Sequence, residues 1–333
     1  MRVKFDDLKN EMTRVLTNHG FTRDRAEDSA EIFVWNTVDG IASHGVNRFP
    51  RVVEYLKKGY IDVDAEPTKV SSLGALETWN GNLGMGNLNA KLSMDRAMEL
   101  ASEHGIGCVG LGNTNHWMRG GAYGWQAASA GYAGICWTNT QPNTPPWGSV
   151  DRKIGNNPLI IAIPRNKGHL VVDVAMAQYS YGKIDEAAMN NQMLPFPGGF
   201  DSDGNLTSDP AAIQKTWRVL PIGYWKGSGL SIVFDLLAAT LSGGRSVYEV
   251  GKLGGDEYSL SQVFIALNVR GANSPEWIEQ LMDNTVDDIK GATPAREGQE
   301  IMYPGEPETR TREDNLKNGV LVNDDVWSTV RSL

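Results

Sequence analysis

Cysteine is scarce in this 333-residue chain, with only Cys108 and Cys136 present. Both sit in apolar runs, Ile106-Gly107-Cys108-Val109 and Gly134-Ile135-Cys136-Trp137. They read as small buried hydrophobes rather than as a disulfide or a nucleophile. Histidine is equally sparse, and the five present show no zinc-ligand spacing, so no metal is expected. Basic charge is short as well: the net charge is -9 and no Lys/Arg cluster could follow a phosphate backbone. Nucleic acid and anionic membrane are therefore not expected as partners. No apolar run approaches the roughly 18 residues of a membrane span, and Met1-Arg2-Val3-Lys4-Phe5-Asp6-Asp7 has no signal-peptide core. These absences point to a soluble cytoplasmic protein. The dinucleotide fingerprint G-x-G-x-x-G is also missing. Gly81-Asn82-Leu83-Gly84-Met85-Gly86 has the wrong order, no ribose-reading acid follows it, and it reads as a turn into a helix at Ala90. Asp201-Ser202-Asp203-Gly204-Asn205 lacks the terminal Glu of a calcium loop and reads as a surface turn.

What is present is ordinary globular composition, 41% hydrophobic and 21% charged, over a length that allows more than one domain. The first sixty residues read as helices. Phe5, Leu8, Met12, Val15 and Leu16 mark one apolar face that ends at Gly20. A second helix begins near Thr22 and turns Ala26, Ala30, Phe33, Thr37 and Val38 inward, and a third carries Val52, Val53 and Leu56 and stops at Gly59. β-prone runs follow at Leu76–Trp79, Ile106–Leu111, Ala133–Thr138, Leu159–Ile163, Leu170–Val174 and Gln262–Val269, with helices at Ala90–His104, Ala122–Ala130 and Gly229–Leu241. Later helices start at Ser274-Pro275-Glu276, an N-cap with Pro at the first helical position, and near Asn323. The expected fold is α/β: a central mixed β-sheet with a helical domain made from both chain ends. The expected regions are 1–70 (helical), 71–270 (mixed sheet, cofactor and substrate) and 271–333 (helical, packing with the N-terminal helices).

Four stretches carry chemistry. In Ser43-His44-Gly45-Val46-Asn47-Arg48-Phe49-Pro50, Pro50 cannot lie deep in a helix. The helix ending at Gly59 should start just before it, with His44 at or just before its N-terminus and Arg48 in its first turn. Free N–H groups and a guanidinium there attract a carboxylate, and a histidine beside them can protonate a carbonyl oxygen. A helix cap and a surface ion pair would use the same residues. Asn113-Thr114-Asn115-His116-Trp117-Met118-Arg119-Gly120-Gly121 follows a strand, where sites usually lie, so His116 is a substrate contact or a second acid–base group, or else part of an Asn/Gly turn. In Gly223–Gly229, Lys226 precedes a helix and suits a phosphate, or is a solvated turn lysine. Asp173 ends a strand that should be buried and needs a partner, either a histidine or a backbone or hydroxyl donor.

Together Ser43–Pro50, Asn115–Gly121, Tyr123–Ala128, Gly134–Asn139, Pro145–Gly148, Tyr181-Gly182, Gly223–Gly229 and Asp324–Trp327 resemble the second malate/L-lactate dehydrogenase family, which includes sulfolactate and ureidoglycolate dehydrogenases. The resemblance runs from residue 1 to 333. It implies a fold distinct from the Rossmann type, NAD(P)H bound on the central mixed sheet, and a homodimer with the site near the interface. It implies His44 as the general acid, Asp173 as its partner, and Ser43, Arg48 and His116 around the substrate, with Arg48 on the carboxylate. It also implies cofactor contacts from His169, Leu170, Val171, Val172, Asp173, Val174 and Ala175, from Trp225 and Lys226, and from Gly305, Glu306 and Pro307. The expected reaction is reduction of a sugar-derived 2-oxo acid to the 2-hydroxy acid with NADH, NADPH being left open. An NAD-dependent malate, lactate or ureidoglycolate-type dehydrogenase is the alternative. Gln141-Pro142-Asn143-Thr144, Met189–Met193, Phe200–Ser202 and Pro304–Pro307 depart from the family pattern, and some of them would line the substrate tail. Ten tryptophans are present. Trp117, Trp137, Trp147 and Trp225, in Gly/Pro-rich loops, are expected to face a ligand or partner, and Trp35 and Trp79 the core.

Overall fold

The computed structural model describes all residues 1–333. A seven-stranded sheet runs in the spatial order Thr68–Leu73, Leu76–Asn80, Ile106–Thr114, Leu260–Leu267, Ala133–Thr138, Leu159–Ile163, Leu170–Val174. Only Leu76–Asn80 and Ile106–Thr114 are parallel, and the helix Gly86–His104 supplies the crossover that such a pair requires. Every other neighbouring pair is antiparallel. The sheet is mixed, as expected. The late strand Leu260–Leu267 is inserted at its centre, where its near-continuous apolar run is covered on both faces.

One face packs Ala90, Met94, Ala97 and Leu100 of the helix Gly86–His104, with Ala127 and Ala128 of Gly121–Ser129, against Val109, Leu111, Phe264 and Ala266. The alternate residues Cys108, Val263 and Ile265 face the helix Trp225–Ser242 through Phe234, Ala238 and Leu241. A separate core joins the two chain ends: Leu8, Met12, Phe33 and Phe49 pack with Val320, Trp327 and Val330. The helical layer made from both ends is therefore observed. Within residues 271–333, Glu306–Asn318 docks on the N-terminal helices, Asn315 Nδ2 donating to the Val38 carbonyl at 2.8 Å. The helix Pro275–Lys290 instead lies by the sheet, where Asp283 pairs with Arg165 at 2.8 Å.

Several expectations need correction. Trp225 and Lys226 begin their helix, which spans Trp225–Ser242, rather than lying in a loop before it. Arg48 is the residue before the helix Phe49–Lys57, not part of its first turn. Trp117 and Trp137 are buried core residues, Trp137 because it lies within the strand Ala133–Thr138 and Trp117 because the loop after Ile106–Thr114 folds back onto the sheet, whereas Trp147 and Trp225 are exposed. Trp35 and Trp79 are only partly buried against the cores. Cys136 is fully buried and Cys108 half-buried, and both are free thiols whose pKa burial raises.

Candidate active site

His44 is held by a turn rather than by a helix. A short 3-10 turn, Ala42–His44, follows the helix Arg23–Val38. Thr37 Oγ1 accepts from the Val46 amide at 3.0 Å, and Asn36 Nδ2 donates to the His44 carbonyl at 3.1 Å. A side chain at Gly45 would put its Cβ 2.2 Å from Thr37 Oγ1, so only glycine lets the turn close on the helix. The His44 imidazole is left half-buried, with Nδ1 3.1 Å from Ser43 Oγ.

His116 follows the strand Ile106–Thr114 in a loop pinned by Asn115, whose amide reaches the Tyr60, Leu83 and Gly84 carbonyls at 3.0, 2.7 and 3.0 Å. The Met118 amide donates to His116 Nδ1 at 2.9 Å, so the neutral ring carries its proton on Nε2. That Nε2 lies 3.8 Å from Glu257 Oε2, and the His44 and His116 rings stack with centroids 5.8 Å apart. Arg48 Nη2 is 3.4 Å from the same Glu257 oxygen. The structure thus brings His44, Arg48 and His116 together, as the two local motifs suggest. Glu257, which sequence reasoning missed, lies against Arg48 and His116. It is buried; its amide donates to the Tyr55 hydroxyl at 3.1 Å, and its Oε1 accepts from the Gln141 amide at 3.2 Å. Its only sequence signal is an acid after Gly254-Gly255 and directly before a buried strand.

Burial and the Arg48 and Arg119 charges push the His44 imidazole down to about 4, with Asp173 opposing them. His116 is pushed well below the usual histidine range by burial, with Arg48 and His44 adding to it. Both rings are therefore neutral at pH 7 in the free protein.

Asp173 is close enough to bias His44, but its hydrogen bonds go elsewhere. Its Oδ2 accepts from the Gly121 amide at 3.0 Å and from Arg119 Nε at 3.3 Å. Buried Arg119 also holds Asp39 at 2.6 Å, and Asp39 holds Arg312 at 2.7 Å. This chain of charges ties the sheet edge to both terminal segments, and sequence reading assigned no role to Arg119, Asp39 or Arg312.

The segments named for the cofactor meet along the edge strand Leu170–Val174. The Val171 amide donates to the Pro304 carbonyl at 2.9 Å, and a Cβ at Gly305 (φ +96) would fall 2.8 Å from the His169 carbonyl. Near the other end of this strand, the Ile222 amide donates to the Met176 carbonyl at 2.9 Å, which brings in the turn leading to Trp225 and Lys226. The Lys226 and Gly227 amides are bonded to the Gly223 and Ile222 carbonyls, so the exposed Lys226 ammonium at the start of this 18-residue helix is the group that fits a phosphate, and exposed Trp225 offers a ring face. Other side chains in these segments are occupied. His169 Nδ1 accepts from the Arg165 amide at 3.1 Å, and buried Glu306 pairs with Arg310 at 2.6 Å and with Lys290. The donor set fits a dinucleotide.

Comparison with known proteins shows the family of the chain. A family model described as malate/L-lactate dehydrogenase matches residues 3–331. Curated relatives include the 2,3-diketo-L-gulonate reductase of Citrobacter koseri, 48% identical with 100% of both chains covered. The reductase of the same name from Escherichia coli is 47% identical over 100% of both chains. Among solved structures, the sulfolactate dehydrogenase of Methanocaldococcus jannaschii has a TM-score of 0.92 at 31% identity, covering 100% of this chain and 96% of that one. A malate dehydrogenase from Entamoeba histolytica shares the fold, with a TM-score of 0.93 at 23% identity, covering 100% and 96%. The protein is an oxidoreductase acting on CH–OH groups with a nicotinamide cofactor. It belongs to the malate/L-lactate dehydrogenase family.

Proposed function

We propose that the protein reduces the C2 carbonyl of a sugar-derived 2-oxo acid, 2,3-diketo-L-gulonate or a near relative, using NADH. The observation that carries this reading is the convergence of His44, His116 and Arg48 in a chain that matches reductases of that name over its full length. Arg48 binds the substrate carboxylate with the part of its fork that Glu257 leaves free. The anion offsets the Arg48 charge that holds the His44 pKa down, so binding draws a proton onto His44. His44 then gives that proton to the carbonyl oxygen, while Ser43 Oγ steadies Nδ1. His116, its proton fixed on Nε2, donates to a neighbouring substrate oxygen. Asp173 acts on His44 through its field, and Arg119 fixes where that carboxylate stands. A nicotinamide, when bound, supplies the hydride. Lys226 and Trp225, the strand His169–Ala175 and the Gly305 turn would hold the cofactor.

The helix Trp225–Ser242 is mostly apolar, and Leu230, Val233 and Leu236 remain exposed on it. No single helix is long and apolar enough to cross a membrane. A second copy of the chain covers this face in our reading, giving a homodimer of a cytoplasmic enzyme. The likeness to a sulfolactate dehydrogenase favours a second reading, oxidation of a short 2-hydroxy acid. A panel of 2-oxo and 2-hydroxy acids assayed with NADH, NADPH, NAD and NADP tests both readings. Fastest consumption of NADH with 2,3-diketo-L-gulonate supports the first. Preferred turnover of malate, lactate or sulfolactate supports the second, and no turnover leaves a binding protein.

A further inference from the structure

A cleft of about 510 Å³ adjoins the histidine site and is lined by Gln141, Asn143, Arg152, Tyr181, Trp217 and Gly255, among others. Its size falls within the roughly 300–1,000 Å³ of small-molecule sites. One carboxylate separates it from the reacting groups. Glu257 Oε1 accepts from the Gln141 amide at 3.2 Å, while Oε2 lies 3.4 Å from Arg48 Nη2 and 3.8 Å from His116 Nε2. The cleft and the Arg48 site therefore lie on the two sides of one buried carboxylate, within the span of a single extended acid.

The walls are built for an amphipathic guest. The Tyr181 and Trp217 rings meet edge to face at 5.2 Å, and the Tyr181 hydroxyl is spent on the Asn143 carbonyl at 2.5 Å. Trp217 caps the helix Pro210–Thr216 in the left-handed region, φ 52° and ψ 30°. That conformation is unfavourable for a large side chain, and glycine would serve the cap without strain. An indole is kept there despite the strain, as a wall of the cleft. The Asn143 amide is already bonded to Asn156 at 2.7 Å. Arg152 is exposed and stands within hydrogen-bonding reach of the Tyr181 hydroxyl with its other N–H groups unpaired by any carboxylate, and Gln141 is half-exposed. These two bring hydrogen-bond donors to an aromatic-walled cleft. That combination suits a chain of hydroxyl groups, whose oxygens accept from the polar side while its C–H face lies on the rings. A short, tailless acid offers nothing to it.

We propose that this cleft binds the hydroxylated tail of the substrate, with Arg152 and Gln141 as specificity-determining donors. The proposal rests on the 2-oxo acid reductase reading above. The test compares wild type with Arg152→Leu, Arg152→Lys and Gln141→Leu. It measures kcat/KM for 2,3-diketo-L-gulonate and for pyruvate, with pyruvate taken as a competitive inhibitor if it is not turned over, and the Kd of NADH by fluorescence. Thermal melting checks the fold, which substitution of exposed Arg152 should leave intact. Loss of a hydrogen bond from a charged donor predicts that the long-to-short ratio falls about 10- to 100-fold in Arg152→Leu. It should recover in part in Arg152→Lys, and NADH affinity should be unchanged. Equal losses for the two acids, or no loss, in a wild type that works would overturn the tail subsite alone. Weakened NADH binding would overturn it by assigning the cleft to the cofactor. A wild type that reduces neither acid with NADH or NADPH would overturn the reductase reading and the subsite with it.

Discussion

The His44 and His116 rings lie 19° from parallel with centroids 5.8 Å apart, and the Arg48 charge depresses the pKa of both. A substrate carboxylate at Arg48 offsets that charge and favours protonation of His44. This predicts a direction-dependent pH profile. The free enzyme's His44 titrates at about 4, and kcat/KM reports the free enzyme. Reduction needs protonated His44, so kcat/KM for the 2-oxo acid should fall about tenfold per pH unit from pH 5 to 8. Oxidation of the hydroxy acid needs neutral His44 and should be flat over the same range. Reduction that is independent of pH there would remove His44 as the proton donor.

Arg48 offers a planar fork, one arm of which is already near Glu257. Arg48→Lys replaces that fork with a point charge. The apparent KM for the 2-oxo acid should rise at least tenfold while the NADH Kd stays the same. Unchanged steady-state kinetics would assign the carboxylate to another cation.

Arg119 is buried and shared by Asp39 and Asp173. Arg119→Met would take one buried partner from each acid, leaving Asp39 with Arg312 and Asp173 with the Gly121 amide. The expected cost is about 3–5 kcal/mol, as for one side of a buried pair, seen as a lower midpoint in denaturant. A midpoint equal to wild type would show that the network carries no stability.

Leu236 is 55% exposed on the apolar helix Trp225–Ser242. If a second copy covers that face, Leu236→Glu puts an uncompensated charge in the contact. Light scattering should then give a monomer near 36.4 kDa where wild type gives twice that mass. A variant that remains dimeric would place the interface on another face.

Much of the fold was legible because burial follows period. Leu8, Met12 and Val15 announce their helix, and the apolar strands announce the sheet. Elements without that signal were missed. Thr68–Leu73 is exposed along its whole length at the sheet edge, and Glu306–Asn318 buries only Glu306 and Asn315. At the site, His44, Arg48 and His116 stood out because each lies in a dense local motif. Glu257 stayed hidden because its meaning lies in partners about 140 and 210 residues away, a closeness only the folded sheet creates. For Asp173 the sequence offers a histidine or a backbone or hydroxyl donor, and its hydrogen bonds go to the Gly121 amide and to Arg119 rather than to His44, since a strand-end acid takes whichever donors the fold brings to it. Trp117 and Trp137 were misjudged because a Gly-rich neighbourhood does not reveal which way an indole turns.

The most direct test of the account is His44→Gln, assayed for NADH oxidation by 2,3-diketo-L-gulonate beside direct measurement of NADH binding. Loss of a positioned proton donor should lower kcat by about 10²–10⁴-fold, with the NADH Kd and the melting temperature close to wild type. A folded variant that binds NADH and turns over at the wild-type rate would contradict the account.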